Sequence, residues 1–339
     1  MSFFLAKYEN KNTRRAYKRA VDNFLLWCDE RGLELDRIVP AFVGMYRDEM
    51  SGSVAKKRQV LAALRKFFDV LVERHFVQLN PARSTDNPKE RLEEGKTPLL
   101  PLSDAEKMLA SIDLKSVVGR RDFAVIAILI STGCRIGAVE KLRREDLFYD
   151  RDQWYVRLKE KRSKVRVIPV RHDLQGPFLD YLEAADLAGA PPKHHVFRAA
   201  MFRTGKFRPY TADGENGVRA KGHFRADDMG RMLKRRLCDI GVGEKKTVAT
   251  MVKGKVQTRT VYTSRYSAHG FRVAVTTDLL DQGKDTHDVA YLLGHASTRT
   301  TQLYRRGERK VKRNLVESIR VSIPESPEGA NDKRESTAP

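Results

Sequence analysis

Near its C-terminal end the chain reads LLGHASTRTTQLY, which sets His295 nine positions before Tyr304. A free phenol has a pKa of about 10, so a tyrosine that attacks anything at neutral pH must shed its proton as it does so. Three other segments carry side chains suited to an anionic target: TGCRIGAVEKL with Arg135, KEKRSKVRVIP with Lys161, and SAHGFRVAVTT with His269 and Arg272. Guanidinium is always charged and forks onto two phosphate oxygens, so paired arginines suit a phosphoryl group. Taken singly, each segment is weak. A lone arginine shortly after a glycine is usually a surface charge, H-x-x-R occurs by chance, and a tyrosine in this position more often packs than attacks.

The composition narrows the target. Lys and Arg number 65 against 44 Asp and Glu, a net charge of +21 over 339 residues, which points to a polyanionic partner. The longest apolar run, FAVIAILI at 123–130, is too short to span a bilayer and reads as a buried helix. MSFFLAKYENKNTRR shows no secretory leader, so the expected location is the cytoplasm, in association with the nucleoid. The three cysteines, Cys28, Cys134 and Cys238, include no C-x-x-C pair, which excludes a disulfide framework and a thiolate zinc site.

The elements that must position these residues fall into two domains. In the first, Ala16, Tyr17, Ala20, Val21, Phe24, Leu25 and Cys28 recur at helical spacing, and Gly32 supplies the stop. A second helix starts at Pro40. A third runs from Ser53 to about Phe76, with Val60, Leu61, Leu64, Phe67, Phe68, Leu71 and Val72 inside and Lys56, Lys57 and Arg58 outside or flanking it. NPARSTDNPKERLEEGKTPLLP, with four prolines, reads as a linker, after which Ser103 and Glu106 suggest a capping box. The second domain opens with helices to about 142, followed by a hairpin over 153–170 with KEKRSK at its turn. Helices resume near 173, and a second hairpin covers 247–263 with Lys253 and Lys255 at its basic tip. A helix ends near Gly294, and the helix leading to Tyr304 starts at Ser297 or Thr298. The expected boundaries are a helical domain over 1–85, a linker over 86–100, a second domain over 101–321 and a Pro- and Ser-rich tail over 322–339.

Together and in this order, the four segments resemble the tyrosine site-specific recombinases of the phage integrase family. NTRRAYKRAVDNFLLWCDERG and ALRKFFDVLVERHFVQLNPAR look like the first and last helices of that family's core-binding domain. The His295-to-Tyr304 spacing and the threonine pair before the tyrosine match its motif. The resemblance implies a two-domain clamp on duplex DNA, mainly α with small β-hairpins, in which a helical SAM-like domain accompanies an α+β catalytic domain. It implies a DNA breaking and rejoining enzyme that works through a 3′-phosphotyrosine and a Holliday junction, as a homotetramer on synapsed sites.

The physics of such a reaction fits the residues. Transesterification at a phosphodiester builds a dianionic five-coordinate phosphorus, whose charge must be met by cations and donors aimed at its oxygens. Arg135 and Arg272 form that clamp, and Tyr304 is the nucleophile. Nine residues, partly turn and partly helix, let His295 and the phenol face one phosphate. By resemblance, His269 and His295 contact the phosphate and assist proton transfer, while Lys161 protonates the departing 5′-hydroxyl. Glu160 and Arg162 flank Lys161 where the family turn usually carries glycines, so Lys159 and Lys164 stand as alternative acids. Glu140, five residues after Arg135, is assigned an orienting role towards the active-site cations, with an ordinary helix-surface charge as its near-equal. No metal or other cofactor is implied, and there is no Walker loop.

Other readings stay in view. Tyr262 and Tyr266 lie near His269 and rank below Tyr304 as nucleophiles, and Tyr291 is expected to pack within its helix. His194 and His195 are adjacent without a third metal ligand nearby. The stretch 241–265 carries six Lys or Arg against Glu244 alone and is expected to follow DNA backbone, as is the basic loop of 203–225; Lys56, Lys57 and Arg58 are further DNA contacts. Leu315, Val316 and Ile319 suggest a helix that crosses an interface between protomers or packs within its own. A mobile-element role is favoured, and accessory proteins are compatible with it. The rival functions are a type IB-like topoisomerase and a non-catalytic DNA-binding accessory protein.

Overall fold

The computed structural model describes residues 7–89, 97–160, 164–201, 205–211, 221–252, 255–295, 297–302 and 304. The chain divides into two compact units, Met1–Leu92 and Glu93–Pro339.

The first unit is helical. α1 (Lys11–Asp29) starts where the Asn10 side chain accepts the backbone N–H groups of Asn12 and Thr13. α2 (Pro40–Glu49) carries its proline in the first turn, and α3 (Val54–Glu73) is capped by Ser53. Their apolar stripes meet in a core where Phe24 touches Trp27, Tyr46 and Phe68, and Phe67 packs on Phe68, at ring separations of 5.1 to 6.1 Å. Trp27 belongs to this core and Leu25 only borders it. Its indole N–H is satisfied by Glu49 Oε2 at 2.7 Å, which is what lets so large a polar-edged ring go inside. On α3 both Val60 and Val70 are buried, whereas Val72 is only half-buried.

The second unit opens with α4 (Leu102–Ala110). The Ser103–Glu106 capping box does not form there: Pro101 is the N-cap and Ser103 is already inside the helix, because the Pro101 carbonyl accepts from Asp104 and Ala105. α5 (Val117–Thr132) contains the apolar run, with Ala124 to Leu129 all buried. The helix stops at Gly133, whose φ of +56° closes a left-handed cap. α6 (Ile136–Glu140) follows.

The hairpin expected over 153–170 is part of a three-stranded antiparallel meander, β1 (Leu147–Asp150), β2 (Gln153–Lys159) and β3 (Val165–Pro169), in that order. β1 has four residues, too few to show alternation, and is joined to β2 through Arg151 and Asp152, both at positive φ. Leu147 pairs with Val156, and Val156 with Ile168; these side chains face a core shared with α5, α7 (His172–Ala184) and α8 (Ala226–Asp239). β4 (Glu244–Val252) and β5 (Lys255–Thr263) make an exposed two-stranded ribbon. α9 (Ala268–Asp281), α10 (Thr286–Leu293) and the short α11 (Thr298–Gln302) complete the unit, and a small cluster of Val273, Leu280, Val289, Leu293 and Tyr304 binds them together. Among the described residues no helix is long and apolar enough to cross a membrane.

Candidate active site

α9 carries His269 in its first turn and Arg272 one turn further on, which places both on one face. Arg272 is 1% exposed. Its Nη1 donates to the Gly133 carbonyl at 2.8 Å and its Nη2 to the Leu293 carbonyl at 2.7 Å, so a guanidinium closes the C-termini of α5 and α10 simultaneously. Burial without full satisfaction costs free energy, and Arg272 Nε has no hydrogen-bond partner among the described residues.

Tyr304 follows α11 by two residues, held where its backbone N–H donates to Thr301 and its carbonyl accepts from Thr277 of α9. The phenol lies in the buried cluster, with its oxygen 3.3 Å from His269 Nε2. Its ring is parallel to that of His295 at 5.7 Å. His295 Nδ1 is 2.8 Å from the hydroxyl of Thr301, the second threonine of the pair before the tyrosine. Turn and short helix therefore bring His295, Tyr304 and His269 to one point.

Arg135 reaches the same site from the N-terminus of α6. Its carboxylate partner is Glu160, at 2.7 Å, and Glu160 also binds Arg166 Nη2 at 2.8 Å. The Glu160 side chain is 2% exposed and that of Arg166 8%, while 42% of the Arg135 side chain remains open to solvent. Sequence reasoning passed over Glu160 and Arg166 as active-site members. The one signal for Glu160 was its place in the lysine turn, where a glycine was expected; Arg166 looked like one more strand charge.

Burial pulls the His269 imidazole below the usual histidine range, with Arg272 and Arg135 adding to the effect. Burial, followed by Arg272, Arg135, Arg166 and His269, lowers His295 to about 3. Both rings are neutral at neutral pH and available as acceptors. The 3.3 Å contact joins the Tyr304 hydroxyl to His269 Nε2, and an unprotonated Nε2 can accept the phenolic proton. Cys134, beside Arg135, is pushed up to about 11 by burial and stays a thiol.

Several expected members lie elsewhere. Glu140 points not at the active-site cations but at His223, 3.7 Å away, and the carboxylate on Arg135 comes instead from the β2 end. Lys161 and Lys253 lie outside the described residues, as does the tail helix around Leu315. Of the alternative acids, Lys159 is held by Asp146 at 2.9 Å and Glu145 at 3.5 Å, and Lys164 is exposed. Tyr266 is 3% exposed in the main core, Tyr262 faces Lys245 across the ribbon, and Tyr291 is 83% exposed, contrary to the packing expected of it. His194 stacks on Tyr210, and His195 contacts both Tyr210 and His223. In the first unit Lys56 is exposed, Lys57 reaches the Asp48 carbonyl and Arg58 is drawn to the Pro88 carbonyl at 2.8 Å. Lys255 opens β5 opposite Val252.

Two family models match the chain: phage integrase family over residues 242–310, and phage integrase N-terminal SAM-like domain over residues 3–75. Tyrosine recombinase XerD of Listeria monocytogenes is 26% identical over 299 residues, covering 86% of this chain and 87% of that protein. Tyrosine recombinase XerC of Thermodesulfovibrio yellowstonii is 25% identical over 328 residues, covering 96% and 94%. The fold is shared with the XerH site-specific recombinase bound to difH substrate, at a TM-score of 0.62 and 18% identity over 90% of this chain and 79% of that one. It is also shared with a lambda integrase (75-356) dimer bound to a COC' core site, at a TM-score of 0.54 and 15% identity over 88% and 93%.

Proposed function

The chain belongs to the phage integrase family of tyrosine recombinases, enzymes that break and rejoin DNA, and from that premise we propose that Tyr304 is its nucleophile and His269 the acceptor of the phenolic proton. The observation that carries this reading is the Tyr304 hydroxyl set 3.3 Å from His269 Nε2, where burial disfavours the charged imidazole, in a site that also holds Arg135, Arg272 and His295. The oxygen attacks the scissile phosphorus as its proton passes to His269, and the P–O5′ bond breaks. Lys161 delivers the proton to the leaving 5′-oxygen. The product is a 3′-phosphotyrosine. Attack by a 5′-hydroxyl of another strand then reverses the step, returning the proton to Tyr304 and passing the exchange through a Holliday junction.

Arg135 and Arg272 meet the charge that develops on the non-bridging oxygens, with His295 as a further phosphate contact. The residues act on their own protomer's phosphate, since Tyr304 lies against the chain's own His269. Four protomers act on two synapsed duplexes without a cofactor, in the service of a mobile element. The helical unit contributes Lys56 and Lys57 to phosphate contacts, β5 contributes Lys255, and Lys253 is a further contact.

The test is covalent trapping. Wild type and Tyr304→Phe are incubated in EDTA with nicked duplexes drawn from the flanks of the protein's own gene. A denaturing gel is expected to show protein-linked DNA with wild type and none with the variant. Binding by both without any covalent species would overturn the reading in favour of an accessory DNA-binding role. Relaxation of supercoiled plasmid by monomers, without partner exchange, would make it a topoisomerase.

A further inference from the structure

Glu160 is a buried carboxylate in a site built to receive an anion. That is costly on both counts: the charge is desolvated, and it competes with phosphate for Arg135. The structure nevertheless gives it two charge-assisted hydrogen bonds, to Arg135 at 2.7 Å and Arg166 at 2.8 Å, with 2% of its side chain exposed. Its backbone N–H meanwhile donates to the Lys164 carbonyl at 2.8 Å, so Glu160 is held through its backbone as well as its side chain.

The surroundings show what the pair is doing. A Cβ built on Gly294 would sit 2.8 Å from Arg166 Nε and 3.1 Å from Glu160 Oε2. The Glu160–Arg166 pair is thus packed against the backbone immediately before His295. One carboxylate therefore joins Arg135 to Arg166 while packing against Gly294, next to His295. It takes up only one end of the Arg135 guanidinium. The Arg135 side chain is 42% exposed, and its remaining N–H groups are the ones a phosphate meets.

We propose that Glu160 is the positioning residue of the phosphate clamp: held by Arg166, it fixes the guanidinium of Arg135 in the attitude that receives the scissile phosphate. Charge supports the arrangement. The three guanidiniums of Arg135, Arg166 and Arg272 less the one carboxylate leave two positive charges, against a dianionic five-coordinate phosphorus. Without Glu160 three like charges crowd one phosphate and push Arg135 out of position. Arg166 itself has Nε and Nη1 buried without a hydrogen-bond partner among the described residues, so its energetic support depends on Glu160.

This inference rests on the recombinase reading, and its test separates the two. Wild type, Glu160→Ala and Glu160→Gln are compared on a nicked duplex carrying either a normal scissile phosphate or a neutral methylphosphonate in its place. A methylphosphonate has one charged oxygen fewer in the transition state, so it needs less from Arg135. On phosphate, Glu160→Ala is expected to slow covalent-adduct formation by about 10² to 10³, the effect of losing one well-placed donor to the developing charge. Equilibrium DNA binding should stay within about threefold, because affinity comes from many phosphates. On methylphosphonate the variant should come within about tenfold of wild type, the remainder being of the size of one weakened hydrogen bond. Glu160→Gln keeps an acceptor and should fall between the two.

Wild-type adduct with undiminished Glu160→Ala adduct would overturn the positioning role, and so would an equal loss on both substrates, which marks a merely structural side chain. Should Glu160→Ala not fold, Glu160→Gln carries the same comparison of substrates. Failure of wild type on every substrate strikes the recombinase reading itself.

Discussion

Two buried clusters in the catalytic unit are built from the same materials and come out differently. In one, Asp122 on α5 is fully buried and accepts from Arg121, Arg235 and Arg236, all between 2.7 and 3.1 Å. Arg121 is itself buried, covers the Phe224 ring at 3.8 Å and spends another N–H on the Arg198 carbonyl. In the other, Glu160 accepts from Arg135 and Arg166, Arg272 stands nearby, and three guanidinium nitrogens, Arg166 Nε, Arg166 Nη1 and Arg272 Nε, are buried without partners among the described residues. The first cluster draws its arginines onto one carboxylate and joins α5 to α8. The second leaves donors over and one arginine open to solvent. Incompletely satisfied guanidiniums beside an exposed one make a surface whose donors match the oxygens of an anion.

The largest expected effect breaks the first cluster. Asp122→Ala leaves three arginines without their shared anion and should cost ~3–5 kcal/mol of unfolding free energy, read as a lower denaturation midpoint. In the second cluster Arg272→Lys should act chiefly on chemistry, since an ammonium cannot span the Gly133 and Leu293 carbonyls while also facing a phosphate. Adduct formation should fall by about 10² to 10³. Equal damage to stability from both substitutions would erase the distinction drawn between the clusters.

A smaller effect is expected at Gly294, where φ is +66° and a methyl would meet Arg166. Gly294→Ala should cost about 1–3 kcal/mol in stability and slow cleavage by displacing His295, and the pair of assays reads both. The smallest effect is a pH slope. His295 titrates near 3 in the folded protein against about 6.5 unfolded, so the unfolded chain binds the extra proton between those values. Stability contributed by neutral His295 is therefore full above about pH 6.5 and drains away as pH falls towards 3. His295→Gln should flatten the wild-type melting-temperature slope in that window. An unchanged slope would mean that the ring is not held neutral by its burial beside Arg272, Arg135 and Arg166.

Much of this was legible in the chain text. Helices α1 and α3 followed from apolar spacing, with Gly32 and Ser53 near their ends, α2 from the proline in its first turn, and α5 from its apolar run, because helical periodicity and end signals are local. His269 and Arg272 share a face for the same reason. Ser103 misled because a capping-box pattern competes with a proline two residues earlier, and Pro101 starts the helix first. Glu140 misled because five residues along a short helix do not point a side chain back at the residue that caps it. β1 was missed because four residues carry no periodicity.

What the sequence by itself determined is the inventory and its local geometry. A tyrosine and a histidine nine residues apart, joined by a turn and a five-residue helix, are brought face to face by local geometry alone. What only the tertiary structure decided is pairing across distance. Arg272 closes a carbonyl 139 positions away, and Arg135 finds its carboxylate 25 positions on, in a turn where a glycine was expected. With 65 basic and 44 acidic side chains, opposite charges are everywhere along the sequence. Attraction alone selects none of them; burial does, because only a pair sealed from water must be satisfied by a particular partner.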